Sequence, residues 1–150
     1  MTMNYRKFEQ KDITEVAKLI KCFYRETPGN GRINDKKIKN TFNEFTIHPE
    51  KGTIIVFESE KSIFGYAMLP RLWSNEHSKD IIFIDELYVK KEFRNKGIGS
   101  GCIKYILNEF KNNAALLMLA VEVGNEKVEK LYKKMGFKLY KNKTLFYEFS

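Results

Sequence analysis

Residues 81–101 read Ile81-Ile-Phe-Ile-Asp85-Glu86-Leu87-Tyr88-Val89-Lys-Lys-Glu-Phe-Arg94-Asn95-Lys96-Gly97-Ile98-Gly99-Ser100-Gly101. The first nine are rich in β-branched and aromatic residues, which makes Ile81 to Val89 the strongest strand in the chain. At Gly97 the period changes. Ile98, Cys102, Ile106 and Phe110 form one stripe at helical spacing, with Ile103 and Leu107 beside it, so an amphipathic helix begins there. Glycines between strand and helix let the backbone turn tightly and leave amide N–H groups uncovered, and the helix N-terminus adds partial positive charge. Together these bind phosphate oxygens. Arg94 and Lys96 add side-chain charge. On glycine spacing alone, a phosphate-binding loop and a plain turn opening a helix fit equally.

Other chemistries that use glycine-rich or nucleophilic motifs are absent. A Walker loop needs GxxxxGK[ST], and the dinucleotide fingerprint needs GxGxxG after the first strand of a βαβ unit; here the spacing is GxGxG late in the chain. Kinase HRD and DFG sequences are missing, and Ser100 is not in a GxSxG elbow. Cys102 lies on the apolar stripe of its helix with no His or acid at a recognisable spacing, and reads as a core cysteine. Cys22 and Cys102 form no CxxC pair, and His48 and His77 have no ligand spacing, so no metal site is expected.

Outward from this stretch the elements follow in order. Asn4 to Phe8 reads as a short strand. Asp12 and Glu15 open a helix carrying Ile13, Val16, Ile20 and Phe23, which stops near Thr27-Pro28-Gly29. Asn34 caps a second helix with Ile38, Phe42 and Phe45, ending before Pro49. Thr53 to Ser59 and Ser62 to Leu69 form a hairpin around Glu60-Lys61, and Pro70 to Lys79 is read as a loop holding Trp73. Beyond the central helix, Ala115 to Val123 is a continuously apolar strand, which suggests burial on both faces. Val128, Leu131, Tyr132 and Met135 mark a last helix after Asn125, stopped by Gly136. Phe137 to Lys141 and Thr144 to Phe149 are expected to close the chain as two strands. The expectation is a mixed α/β layered domain, one domain over residues 1–150.

The 150 residues are 43% hydrophobic and 14% aromatic, enough for a core, and disorder throughout is excluded. The longest apolar run, Ala114 to Val121, is far short of the ~20 residues that span a bilayer, and the first residues do not read as a secretory signal. A soluble cytoplasmic protein with no membrane partner is expected. Lys and Arg exceed Asp and Glu by 27 to 19, so the net charge of +8 favours anionic partners. Lysines spread over exposed helix faces account for the same balance.

The stretch Arg94-x-x-Gly97-x-Gly99 resembles the R/Q-x-x-G-x-G/A pattern of the GNAT superfamily of N-acetyltransferases. Ile84-Asp85-Glu86-Leu87-Tyr88-Val89 is similar to that family's central strand, and Asn125 to Phe137 resembles its second signature, N-x(6)-Y-x(3)-G-F. Both motifs, in the right order and separation, cover Ile81 to Lys138. The fold the resemblance implies is a mixed, mostly antiparallel central sheet of about seven strands flanked by about four helices.

It also implies acetyl coenzyme A as acyl-donor substrate. The diphosphate would sit on backbone amides of Asn95, Lys96, Gly97, Ile98, Gly99 and Ser100, with Arg94 nearby. Pantetheine would run along Leu87, Tyr88 and Val89 as an added strand does. An N–H at or near Val89 would polarise the acetyl carbonyl. Asn125 matches a position that contacts the cofactor arm, and serves equally as a helix N-cap. Tyr132 matches the tyrosine that protonates the departing thiolate; a core tyrosine is the competing reading. For the base, Asp85, Glu86 and Glu122 are carboxylates inside otherwise apolar strands, where an unpaired charge is costly. Alternation puts Asp85 and Glu86 on opposite faces. Glu86 ranks first and Glu122 second, with a water relay or a lysine salt bridge as competing accounts.

Acetylation of a primary amine on a small molecule, by direct attack in a ternary complex, is therefore the expected reaction. Aminoacyl-tRNA or a peptide amine is the alternative acceptor, the former discriminated by salt-dependent tRNA binding. A catalytically silent acyl-CoA-binding module is the alternative from another class. Tyr24 to Arg32 and the Trp73 segment are candidates for the acceptor rim, and assembly as a homodimer is left open.

Overall fold

The computed structural model describes every residue other than Met1, Lys61 and Lys141. Intrachain contacts divide it into two compact units, Met1–Leu119 and Ala120–Ser150, which are taken in turn. In the first unit the strands are β1 (Asn4–Lys7), β2 (Gly52–Ser59), β3 (Ser62–Ser74), β4 (Lys79–Ile84), β5 (Glu86–Val89) and β6 (Ala114–Leu119). Its helices are α1 (Ile13–Glu26), α2 (Asp35–Ile47) and α3 (Ile98–Phe110). The sheet order is β1-β2-β3-β4-β6, and β5 pairs with β3. All pairings are antiparallel except β4 with β6.

The central strands β2 and β3 are apolar on both faces because helices cover both. Along β2, Ile54 and Val56 turn toward one cluster with Val16, Leu19 and Ile20 of α1 and Ile38 and Phe42 of α2. Ile55 and Phe57, one residue out of phase, join Ile98, Cys102, Ile106 and Phe110 of α3. The same alternation sends Tyr66 and Met68 of β3 toward α1 and Ala67 and Leu69 toward α3. Asn34 caps α2 through Lys37 N at 2.9 Å. Asp12 takes part in the turn before α1, where its carboxylate accepts Glu9 N at 2.8 Å and Arg6 at 2.7 Å rather than a helix amide. Among the described residues no helix is long and apolar enough to cross a membrane.

Three local expectations change, and a fourth is described only in part. Pro70 to Lys79 is not a loop: β3 continues through Trp73 to Ser74 and pairs with β4. Pro70 does not break the strand because it falls where β3 changes partner, from β5 through Met68 to β4 from Arg71, so no ladder position loses a donor. The long strand Ile81 to Val89 is divided at Asp85 into β4 and β5. The strand expected to reach Val123 ends at Leu119, and its residues are half-buried. The Glu60-Lys61 turn is described through Glu60, at φ 47°, and Lys61 lies outside the described residues.

The second unit holds α4 (Glu126–Lys134). Asn125 caps it, its Oδ1 accepting Val128 N at 3.4 Å. Gly136, at φ 100°, ends it, with Gly136 N donating to Lys133 O and Phe137 N to Tyr132 O, each at 3.0 Å. Tyr132 and Phe137 pack with ring centroids 5.7 Å apart. Phe137 to Lys141 and Thr144 to Phe149 do not form strands over their described residues; Lys141 lies outside them. Alternating apolar residues there satisfy strand propensity, but a strand also needs a paired ladder, and Leu145, Phe146, Tyr147 and Phe149 remain exposed. The sheet therefore has six strands among the described residues instead of about seven, with four α-helices as expected.

Candidate active site

The Asp85 break sets the geometry of the site. β4 continues in register with β6 through Ile84 and Leu119, whereas β5 pairs only with β3. In the β3–β5 ladder Lys90 N donates to Phe64 O at 2.8 Å, and Tyr66 faces Tyr88 two residues along. Antiparallel hydrogen bonding alternates, so the main-chain groups of Tyr88 point to β3 and those of Leu87 and Val89 point to the opposite edge. No strand pairs with that edge among the described residues.

The edge leads into the glycine-rich turn. Asn95 and Gly97 take left-handed conformations, φ 61° and 75°, before α3 begins at Ile98. Gly97 needs no side chain removed from its path, since a Cβ there would meet nothing within 4 Å; its role is conformational. From Asn95 to Ser100 no backbone N–H finds an acceptor among the described residues, and the first amide paired into the helix is Gly101, to Gly97 O at 2.9 Å. Six successive uncommitted donors thus stand at the positive end of a 13-residue helix. Lys96 and Arg94 flank them, and both are exposed.

A cleft of about 530 Å³ lies between the end of α1 and β5, lined by Phe23, Glu26, Tyr88, Val89, Lys91 and Arg94 among others. Two further clefts, about 660 and 900 Å³, lie beside α2 and over the Arg6–Asp12–Glu58 cluster. Neither is lined by β5 or by the glycine-rich turn.

Glu86 faces α1 and is only 6% exposed, while its neighbour Asp85, in the break between β4 and β5, is exposed. Tyr66 Oη donates to Oε1 at 2.7 Å and Tyr24 Oη to Oε2 at 2.8 Å. Burial raises the Glu86 pKa above the usual glutamate value, and the two phenols offset that only in part. Each oxygen has accepted one hydrogen bond and keeps a lone pair for another. The phenols of Tyr24 and Tyr66 are themselves pushed up, first by burial and then by the carboxylate.

Sequence reasoning had Glu86 but not its partners. Tyr24 and Tyr66 stand 62 and 20 residues away. The only signal available was the improbability of a lone carboxylate in an apolar strand. Cys102 is fully buried and its thiol is pushed up by burial, as a core cysteine requires. In the second unit Glu122 lies past the end of β6, exposed, its carbonyl accepting Asn125 N at 3.1 Å. Asn125 caps α4, and Tyr132 sits within that helix with its pKa raised by burial.

The Acetyltransferase (GNAT) family profile matches residues 14–137, most of the chain, and the protein belongs to that family. Over 148 residues it is 27% identical to an uncharacterized N-acetyltransferase of Methanocaldococcus jannaschii, covering 97% of this chain and 85% of that one. The structure is similar to that of "a possible acetyltransferase" from Clostridium difficile 630, with a TM-score of 0.87 at 22% identity over 100% of this chain and 99% of the other. It is also similar to a "predicted acetyltransferase" from Clostridium acetobutylicum solved with acetyl-CoA, with a TM-score of 0.78 at 22% identity over 97% and 96% of the two chains. The mixed, mostly antiparallel sheet with its four helices is the fold of these structures.

Proposed function

We propose that the protein transfers the acetyl group of acetyl-CoA to the primary amine of a small-molecule acceptor, by direct attack in a ternary complex. The observation that carries this reading is the run of uncommitted amides from Asn95 to Ser100 beside the unpaired edge of β5. The amides suit a diphosphate, and the outward main chain of Leu87 and Val89 suits an amide-bearing arm laid down like a strand.

The donor supplies an acetyl group activated as a thioester. The amine nitrogen bonds to the acetyl carbon while the carbon–sulfur bond breaks. Val89 N–H stabilises negative charge on the carbonyl oxygen. Glu86 takes the proton the amine loses, either directly or through a water, with Glu122 the second candidate for that task. A raised pKa suits Glu86 to it, because a carboxylate of ordinary acidity is a weak base near neutral pH. Tyr132, a phenol protonated at neutral pH and pushed further up by burial, supplies the proton to the departing thiolate. That assignment rests on the N-x(6)-Y-x(3)-G-F spacing of Asn125, Tyr132, Gly136 and Phe137.

The test is purified protein with acetyl-CoA and a panel of amines, following thiol release, with acetyl-CoA binding measured in parallel. Amine-dependent release is expected. Donor binding without turnover on any amine, tRNA or peptide would instead mark a silent acyl-CoA-binding module, and no donor binding would end the whole reading.

A further inference from the structure

Glu26, the last residue of α1, accepts hydrogen bonds from two groups of the candidate donor site. Tyr88 Oη donates to its Oε2, and Arg94 Nη2 donates to its Oε1 at 2.9 Å, with Lys91 Nζ 4.0 Å away. The same guanidinium uses Nε to reach Val89 O at 2.8 Å, and its central carbon lies 5.4 Å from the Tyr88 ring centroid. Arg94 therefore lies across the unpaired edge of β5. It fills the outward carbonyl of Val89 and is tied to α1 by a carboxylate whose side chain is 22% exposed. The Tyr88 hydrogen bond, ahead of the Arg94 pair, holds the Glu26 carboxyl below its ordinary value, so it is ionised at neutral pH.

We propose that Glu26 is a positioning residue of the donor site: an internal anion that competes with the donor's diphosphate for Arg94 and so weakens donor binding. The inference rests on the function proposed above, with the diphosphate on the amides of Asn95 to Ser100, and adds Arg94 beside it as the resemblance implies. A guanidinium presents its donors in one planar fork, and a carboxylate and a diphosphate oxygen pair compete for the same face of it. A bidentate turn of Arg94 toward a diphosphate on the amides of Asn95 to Ser100 would draw Nη2 from Glu26 and Nε from Val89 O, which would also clear the β5 edge. When product coenzyme A departs, Glu26 recovers the guanidinium.

The experiment is calorimetric titration of coenzyme A into wild type, Glu26→Gln, Arg94→Ala and the double variant, with thermal melts alongside. Glu26→Gln keeps the shape and an acceptor for Tyr88 but removes the charge, and is expected to tighten coenzyme A by about two- to fivefold, the scale of a partly exposed ion pair. Arg94→Ala is expected to weaken binding, and the gain from Glu26→Gln is expected to vanish in the Arg94→Ala background. A purely structural role for Glu26 would not show that cancellation. Should Glu26→Gln melt early, Glu26→Ala at the same helix-terminal position is expected to give the same direction. Unchanged or weaker binding in both Glu26 variants overturns the competition, as does a gain that survives without Arg94. Wild-type affinity in Arg94→Ala overturns the diphosphate assignment of Arg94 and the inference with it, while failure of wild type to bind coenzyme A at all overturns the proposed function.

Discussion

Tyr66 on β3 holds its hydroxyl 2.7 Å from Oε1 of Glu86 on β5, with Tyr66 fully buried and Glu86 nearly so. The β3–β5 register creates this pair: Met68 faces Glu86 and Tyr66 faces Tyr88, so the phenol reaches diagonally on the face covered by α1. A carboxylate in that setting is costly as an anion, and the phenol is one of two groups that stabilise it.

If Glu86 is the base, kcat/KM rises with pH through a pKa above the ordinary glutamate value, because burial has raised it. Tyr66→Phe removes a donor to the anion and is expected to move that acid limb to still higher pH. Glu86→Gln is expected to lower kcat/KM by about 100-fold or more and to abolish the limb. Profiles of the three proteins over pH 5 to 9 check this, and a limb that persists in Glu86→Gln assigns the base elsewhere.

Tyr132→Phe removes only the hydroxyl and leaves the ring that packs on Phe137. The expected outcome is a fall in kcat of about 100-fold with KM little changed, since the proton is needed as the thiolate leaves and not for binding. Steady-state kinetics with the best amine decide it; an unchanged kcat returns Tyr132 to a packing role.

Gly97→Ala introduces no collision but places a Cβ on a residue at φ 75°. It is expected to cost about 1 kcal/mol of stability. It is also expected to weaken coenzyme A more than pantetheine, because the turn carries the amides and pantetheine has no diphosphate. Paired titrations with the two ligands separate these effects.

Gly65→Ala tests the β3–β5 seam. A Cβ there would stand 2.6 Å from the backbone carbonyl of Tyr88 and against the Phe57 ring. The carbonyl moves only if the ladder opens, so a loss of about 2–3 kcal/mol is expected in denaturant unfolding. Retained stability would mean that β5 can shift away from β3.

The acid side of the stability curve follows from Arg6, whose guanidinium joins Asp12 and Glu58 at 2.7 and 2.9 Å. Burial alone would raise the Asp12 carboxyl, but Arg6 and the Glu9 amide bring it net below its ordinary value; for Glu58 the Arg6 hydrogen bond leads. Lowered folded-state values mean that these groups stabilise the fold above the unfolded carboxylate pKa, near about 4, and that the contribution is lost as pH falls through the folded values. Arg6→Ala is expected to cost about 2–3 kcal/mol at pH 7, where it strands the buried Asp12 charge, and to flatten the acid loss. Urea unfolding of both proteins from pH 7 down to pH 3 measures each.

Periodicity and caps made most elements legible, because a helix stripe or an Asn34 cap is written within a few residues. The glycine-rich turn was legible for the same reason: Gly97 and the residues around it carry their backbone requirement locally. Glu86 stood out from the sequence as a carboxylate inside an apolar strand. Three things depended on partners far along the chain. Pro70 reads as a breaker until β3 is seen to exchange β5 for β4 there. Residues 144–149 read as a strand, yet strand is a property of two segments and propensity names only one. Glu86 finds Tyr24, and Arg94 finds Glu26, across more than sixty residues, where only register and helix packing decide which side chains meet. Sequence by itself thus determined the family pattern and the local scaffold of the site. Tertiary structure alone decided its electrostatics, since burial and charge pairing are set by neighbours that no local spacing encodes.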